Sequence, residues 1–179
     1  QEQQHASLCT AAAVALGSTA EVAIPLDELQ LSRTDDPSAE LIAMVAGTYA
    51  VGEVTALGLI RHTLAVLPPS GFRDVLAHIA SDEGLHARIG PALLGVLRTA
   101  DWIDWPGDAT VRALVAAQRA SMADRDVIEP DEAALFDDPI AAGLLPRVGI
   151  PDSRGFLQAY HAALDEDVRA GLEPLGLFA

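Results

Sequence analysis

The sequence predicts an all-α protein, and three observations carry that reading. Alanine and leucine dominate a chain that is 50% hydrophobic, and both are strong helix formers. Apolar residues recur three and four positions apart, the spacing of one helical face, whereas apolar/polar alternation never persists beyond a few residues as a half-buried strand requires. Gly17, Pro68-Pro69-Ser70-Gly71, Pro106-Gly107 and a Pro- and Gly-rich stretch from Pro130 to Pro151 cut the chain into helix-length segments.

Five helices follow in order. The first covers Glu2 to Leu16 and stops at Gly17, a glycine suited to the left-handed position after a helix. A polar, acidic connection from Ser18 to Pro37 carries Val22, Ile24, Leu26, Leu29 and Leu31. Its twenty or so residues reach roughly 60 Å when extended, enough to cross from one end of a bundle to the other. The second helix begins near Ser38, where Asp36 and Pro37 supply capping and first-turn chemistry, and runs to Leu67 before Pro68-Pro69 ends it. The third runs from Ser70 to about Arg98 with Pro91 as an expected kink, and the tight Pro-Pro-Ser-Gly link makes it an antiparallel hairpin with the second. Trp102 and Trp105 are expected to pin the next connection to the bundle end. A fourth helix covers Asp108 to Ile128, a Pro- and Gly-rich stretch spans Pro130 to Pro151, and a last helix lies between Asp152 and Leu172. Residues 1–100 thus read as a helical bundle and residues 101–179 as a C-terminal helical extension packed on it.

Composition excludes several functions. With 179 residues and a net charge of −15, the chain has 11 basic residues, all arginine, against 26 acidic ones. It therefore offers nothing to neutralise a phosphate backbone, and no nucleic-acid partner is expected. The single cysteine, Cys9, cannot form an internal disulfide or a four-thiolate metal site. Cys9 shares the helical face of His5 one turn on and is expected to pack there. Charged residues interrupt the apolar runs, so no span of about 20 residues is expected to cross a bilayer. The chain reads as soluble, without a membrane partner, and cytoplasmic. It opens at Gln1 without a methionine, and further residues are expected upstream.

One short motif occurs twice. Glu2-Gln3-Gln4-His5 opens the first helix and Glu83-Gly84-Leu85-His86 lies in the middle of the third. Positions i and i+3 share a helical face, so each pair aims a carboxylate and an imidazole at one point. Glu83 and His86 also fall on the stripe of Leu76, Ile79 and Gly90, which is expected to be buried. A carboxylate there calls for an ion, a proton or a counter-charge. In the second helix Glu53 is the one charged residue between Met44 and Ile60, on the stripe of Ile42, Ala46, Tyr49, Ala56 and Ile60. Carboxylate oxygen and imidazole nitrogen together suit iron, with manganese the alternative. Tyr49, one turn before Glu53, is the candidate for a catalytic side chain. His62, His78 and His161 fall off the ligand stripe, and His161 is as well explained by a bond to Asp165 as by closure over the site.

Glu2-x-x-His5, Glu53 and Glu83-x-x-His86, in that order, resemble the ferritin-like di-iron carboxylate superfamily, in which two helices give one glutamate each and two give Glu-x-x-His. More narrowly, Glu2 to Leu16 and Pro25-Leu26-Asp27 resemble the uncharacterised bacterial ferritin-like domain proteins. The resemblance covers Gln1 to Leu97. It implies an antiparallel four-helix bundle with a long crossover, the present helices being the second to fourth and the first lying upstream of Gln1. It implies two iron ions held by Glu2, His5, Glu53, Glu83 and His86, with Glu53 and one histidine-bearing glutamate as bridges. Asp82, just before Glu83, would accept the outer N–H of His5, and Gln1 would stand in the same relation to His86. Leu85 and Gln4 occupy the place where oxygenase members often carry an arginine.

The function these readings favour is a di-metal oxidase or oxygenase acting on dioxygen or peroxide. No rubredoxin-type cysteine pairs are present, so the reductant would be a separate reductase; a homodimer is the expected assembly. Two rivals stay open: a ferroxidase that handles iron in a cage, and a helical scaffold whose metal site is degenerate.

Overall fold

Helix α1 (Glu2–Ala15) ends where Gly17 takes a φ of 92°. Its N–H reaches Val14 O at 2.9 Å, and Ser18 N–H reaches Ala13 O at 3.0 Å. These bonds satisfy carbonyls that the helix end would leave open, and the left-handed turn explains the glycine. The computed structural model describes residues 1–15, 17–18, 35–123, 138–145 and 153–178. The long connection after α1 therefore falls largely outside the described residues, as does the expected end of the fourth helix at Ile128.

Helix α2 (Pro37–Val66) starts with Asp36 accepting from Ala39 N–H at 2.9 Å and Pro37 in the first turn. Helix α3 (Gly71–Leu97) is capped by Ser70, which accepts from Arg73 N–H at 3.2 Å, and it continues unbroken through Pro91 where a kink is expected. Helix α4 (Asp108–Ala123) follows, then a short α5 (Pro139–Leu144) inside the stretch expected to be loop. The last helix, α6, comprises Ser153–Ala162, a π-helical segment Ala163–Asp167 and Val168–Leu172. Among the described residues there is no strand.

The centre of the molecule is α2. Helix α3 packs along it, α4 packs on its N-terminal half and α6 on its C-terminal half. An 18-residue window of α2 has a mean hydropathy of 1.5, so one helix is, by length and composition, apolar enough to cross a bilayer. That corrects the expectation that no such stretch exists. With 44% of that window buried, α2 uses its apolarity against three neighbouring helices. One core joins Ile42, Val45 and Val51 of α2 to Leu94 of α3, Val111 and Val115 of α4, and Leu164, Val168 and Leu172 of α6. It runs across the boundary at residue 100 without a gap.

The register of α2 departs from a plain helix. Val45–Gly52 is π-helical, and Glu53 N–H bonds to Thr48 O, five residues back. Up to Ala46 the buried row follows the expected stripe; beyond it the buried positions are Ala50, Val51, Val54, Thr55 and Leu57. The wider turn inserts one extra residue, so Tyr49 and Glu53 move from the core line to its half-buried flank and Ala56 becomes exposed.

Two packing expectations are corrected. Cys9 is exposed, because α1 leans mainly on α3, and it does so through the row His5, Leu8 and Ala12. Trp102 is 68% exposed and pins nothing, whereas Trp105 packs on the core and donates its indole N–H to Asp108 Oδ1 at 3.1 Å. The chain end is held by arginines. Arg98 and Arg112 each bond a carbonyl at 2.9 Å, those of Leu175 and Gly176, and Arg119 lies 4.2 Å from the centre of the Phe178 ring.

Helices α2 and α3 cross closest at Gly90, where an added Cβ would lie 2.4 Å from Ala50 N and Tyr49 C. Neither atom can move without shifting the π segment. Gly90→Ala is therefore expected to cost about 3 kcal/mol or more of unfolding free energy. Gly84→Ala in the same helix, with nothing within 4 Å of its Cβ, should gain up to about 1 kcal/mol from helix propensity. Urea unfolding of the two variants checks the contrast.

Candidate metal centre

Glu83 is 5% exposed and His5 6% exposed, and among the described residues they are the carboxylate and the imidazole that the structure buries most deeply. Each comes from a helical row that is otherwise apolar. Their neighbours complete a cluster at the point where α1 and α2 meet α3.

Both imidazoles are held by their outer nitrogen. His5 Nε2 lies 3.0 Å from Asp82 Oδ2 and donates to it; His86 Nε2 lies 2.9 Å from Gln1 Oε1 and donates to it. The inner nitrogens then face the carboxylates. His5 Nδ1 is 3.2 Å from Glu83 Oε1 and 3.6 Å from Glu2 Oε2. His86 Nδ1 is 3.0 Å from Glu83 Oε2 and 3.1 Å from Glu2 Oε1. Glu2 and Glu83 each present one oxygen to each histidine, and the two rings stand 6.3 Å apart between centroids. Glu53 joins Glu83 and His86 on one side, with ligand atoms mutually within 4.8 Å; Glu2, His5 and Glu83 form the equivalent group on the other. The two carboxylates that span the centre are thus the histidine-bearing pair, and Glu53 serves one side where the resemblance implied a bridge.

The donor set fits a pair of cations. His5 Nδ1 is buried without a hydrogen-bond partner although two carboxylate oxygens surround it. A lone pair in that position costs free energy unless a proton or metal ion takes it. No arginine of the described residues forms an ion pair with Glu2, Glu53 or Glu83. The tied outer nitrogens fix each ring with its Nδ1 inward, as second-sphere partners of metal-bound histidines do.

The electrostatics carry the same mark. Burial, a hydrogen bond with Glu83 and the charges of Glu83 and Glu2 raise the Glu53 carboxyl from 4.5 to about 7. For His5, burial acts downward, but the Asp82 hydrogen bond and the charges of Glu2, Glu83 and Asp82 outweigh it, and the net shift is upward from 6.5. Asp82 is held below its usual 3.8, chiefly by its bond to His5.

All seven residues expected from the sequence to ligate or orient come together: Glu2, His5, Glu53, Glu83 and His86 as ligands, Asp82 and Gln1 behind the rings. Tyr49 lines a cleft of about 490 Å³ that opens onto Gln1, Glu2, Glu53 and His86. The rest of that cleft is apolar: Leu41, Met44, Val45, Ile89 and Leu93. Sequence reasoning missed this wall. Its signal was the pairing of Met44 and Leu93, large apolar residues 39% and 37% exposed, on the two helices that carry Glu53 and His86. His78 bonds Gln4 at 3.2 Å at the outer edge of the α1–α3 contact. His161 is edge-on to Tyr160 at 5.7 Å and lines shallow clefts that include no ligand residue, while Asp165 pairs with Arg119.

Compared with known proteins, the chain matches no family model, no curated protein and no solved structure. The site therefore rests on its own geometry.

The raised groups set the pH response of the metal-free protein. Protonated Glu53 contributes stability that is fully present below about pH 4.5 and is lost as pH rises through about 7. His5, raised above 6.5, contributes below that value and loses its contribution as pH rises through its higher folded pKa. The urea midpoint of the metal-free chain should fall between about pH 5 and pH 8, and Glu53→Gln should flatten most of that fall.

Proposed function

We propose that the chain is a ferritin-like di-iron carboxylate protein, manganese being the alternative metal, and that it acts as an oxidase or oxygenase. The observation that carries this is the pair of inward-facing Nδ1 atoms, one on His5 and one on His86, with Glu2 and Glu83 each spanning between them. In this reading α1, α2 and α3 correspond to the second, third and fourth helices of the bundle.

The two metal ions would supply the reduction of dioxygen or peroxide, with electrons from a separate reductase in the cytoplasm. The chain's own residues do the remainder. Glu2 and Glu83 would serve both ions, and Asp82 and Gln1 keep the imidazoles turned inward. Glu53 takes up a proton when no cation is present and gives it up when one binds, since a ligating carboxylate must be ionised. The apolar walls of the cleft, Leu41, Met44, Val45, Ile89 and Leu93, exclude water beside Glu53 and His86 and suit an apolar substrate. Tyr49 stands in that wall as the candidate redox or positioning side chain.

The cleft favours this reading over iron storage, which needs no substrate pocket. The net charge of −15 is what favours storage, and size-exclusion chromatography separates the two: a homodimer is expected for the oxidase and a large closed shell for a cage.

Elemental analysis after anaerobic ferrous or manganous loading should give about two metal ions per chain, the number set by two imidazoles sharing two carboxylates. Glu83→Ala should abolish loading at both positions, since Glu83 serves both. Air exposure of the ferrous protein should give a transient absorption change absent from that variant. A folded chain that takes up no metal, or a Glu83→Ala variant that keeps both ions, overturns the reading.

A further inference from the structure

A groove of about 390 Å³ lies between α2, α3 and α6 and shares no residue with the cleft beside the cluster. Its floor is formed by Val54 and Leu57 of α2 with Gly84 and Ala87 of α3. Val54, Gly84 and Ala87 directly follow Glu53, Glu83 and His86 in the sequence, so the groove occupies the neighbouring flank of the same two helices. Three charged side chains stand around it, one from each helix: Arg61, Arg88 and Asp167.

Arg88 Nε donates to Gly84 O at 2.9 Å, which lays the guanidinium beside the floor and leaves its terminal nitrogens for another acceptor. Neither Arg61 nor Arg88 makes an ion pair, whereas Arg98 and Arg119 are paired with Asp108 and Asp165 in the same acid-rich chain. Asp167 faces them from α6, its Oδ2 3.2 Å from the place that a Cβ on Gly58 of α2 would take. An acid is therefore at hand in the groove, and the two arginines stay apart from it.

We propose that this groove is a second ligand site, independent of the metal centre, and that it holds a small organic acid by its carboxylate. Guanidinium groups from two facing helices offer several N–H donors in planes that match an oxyanion. The apolar floor, open at Gly84 where nothing lies within 4 Å of an added Cβ, takes a short carbon body. Charge selects the carboxylate over a phosphate. Two arginines against one aspartate leave a single positive charge, which a carboxylate neutralises and a phosphate of nearly two negative charges exceeds. The site stands whether or not the cluster binds metal.

NMR titration of the whole chain with butyrate and with inorganic phosphate, at pH 7 and constant ionic strength, tests this. Butyrate should shift the Val54, Leu57 and Ala87 methyl signals and the Arg61 and Arg88 Nε–H signals saturably, with a Kd on the order of 1–10 mM, and phosphate should bind more weakly. Arg61→Gln and Arg88→Gln should each weaken butyrate about tenfold. Asp167→Asn should strengthen phosphate more than butyrate. Gly84→Leu, which keeps both arginines and fills the floor, should abolish binding; if it fails to fold, the exposed arginine variants carry the test. Signals that do not saturate, equal shifts from chloride, or shifts that persist in the double arginine variant overturn the site. Phosphate binding at least as tightly as butyrate overturns the carboxylate assignment.

Discussion

A carboxylate enclosed in an apolar row is the constraint around which this protein is arranged. Glu83 is 5% exposed and sits between two imidazoles, with a second acid, Glu53, bonded to it. Such a group is tolerated when positive charge or protons converge on it. Three helices are oriented to meet that demand. Helix α1 brings His5, α3 brings His86 from the same face as Glu83, and α2 brings a protonatable Glu53. The packing of α1 follows from this, since its remaining contacts with α3 are few and small. Leu8 and Ala12 are half-buried, and Val14 is 62% exposed. Among the described residues the helix is attached chiefly through the polar cluster at its first turn.

Much of the fold was legible because helices announce themselves through periodicity and punctuation. The cap at Asp36, the start of α3 beside Ser70, the left-handed turn at Gly17 and the buried stripe of Ile79, Glu83 and Gly90 lie where residue type and spacing put them. The candidate ligands were legible for a related reason: an acid on an apolar row is conspicuous, and two Glu-x-x-His pairs single out the same face twice. The cluster in space agrees with the row expected in α3, whereas the row expected in α2 shifts at the π segment.

Other features left little trace in the sequence. Nothing in Val45–Gly52 marks a π turn except its small residues, and the register of α2 beyond Ala46 depends on that turn. Which glutamates span both imidazoles is set by side-chain rotamers and helix approach, which residue spacing does not encode. Cys9 lies one turn from His5, but whether that face is covered depends on how many helices flank α1. Trp102 and Trp105 are alike in sequence. Asp108 gives one of them an indole partner and the other remains in solvent.

The π segment of α2 has a meaning beyond its geometry. Deleting a single residue between Val45 and Gly52 would restore ordinary helical register, carrying Glu53 and Tyr49 onto the core line and leaving the flank of the cleft apolar. A helix that turns an acid toward the cluster and a plain structural helix are thus separated by one codon. Insertion is a step that mutation can take at once, and a wide turn is the trace it leaves. Lineages that carry the same helix without the extra residue would be expected to set neither an acid nor a phenol on the flank where this chain places Glu53 and Tyr49.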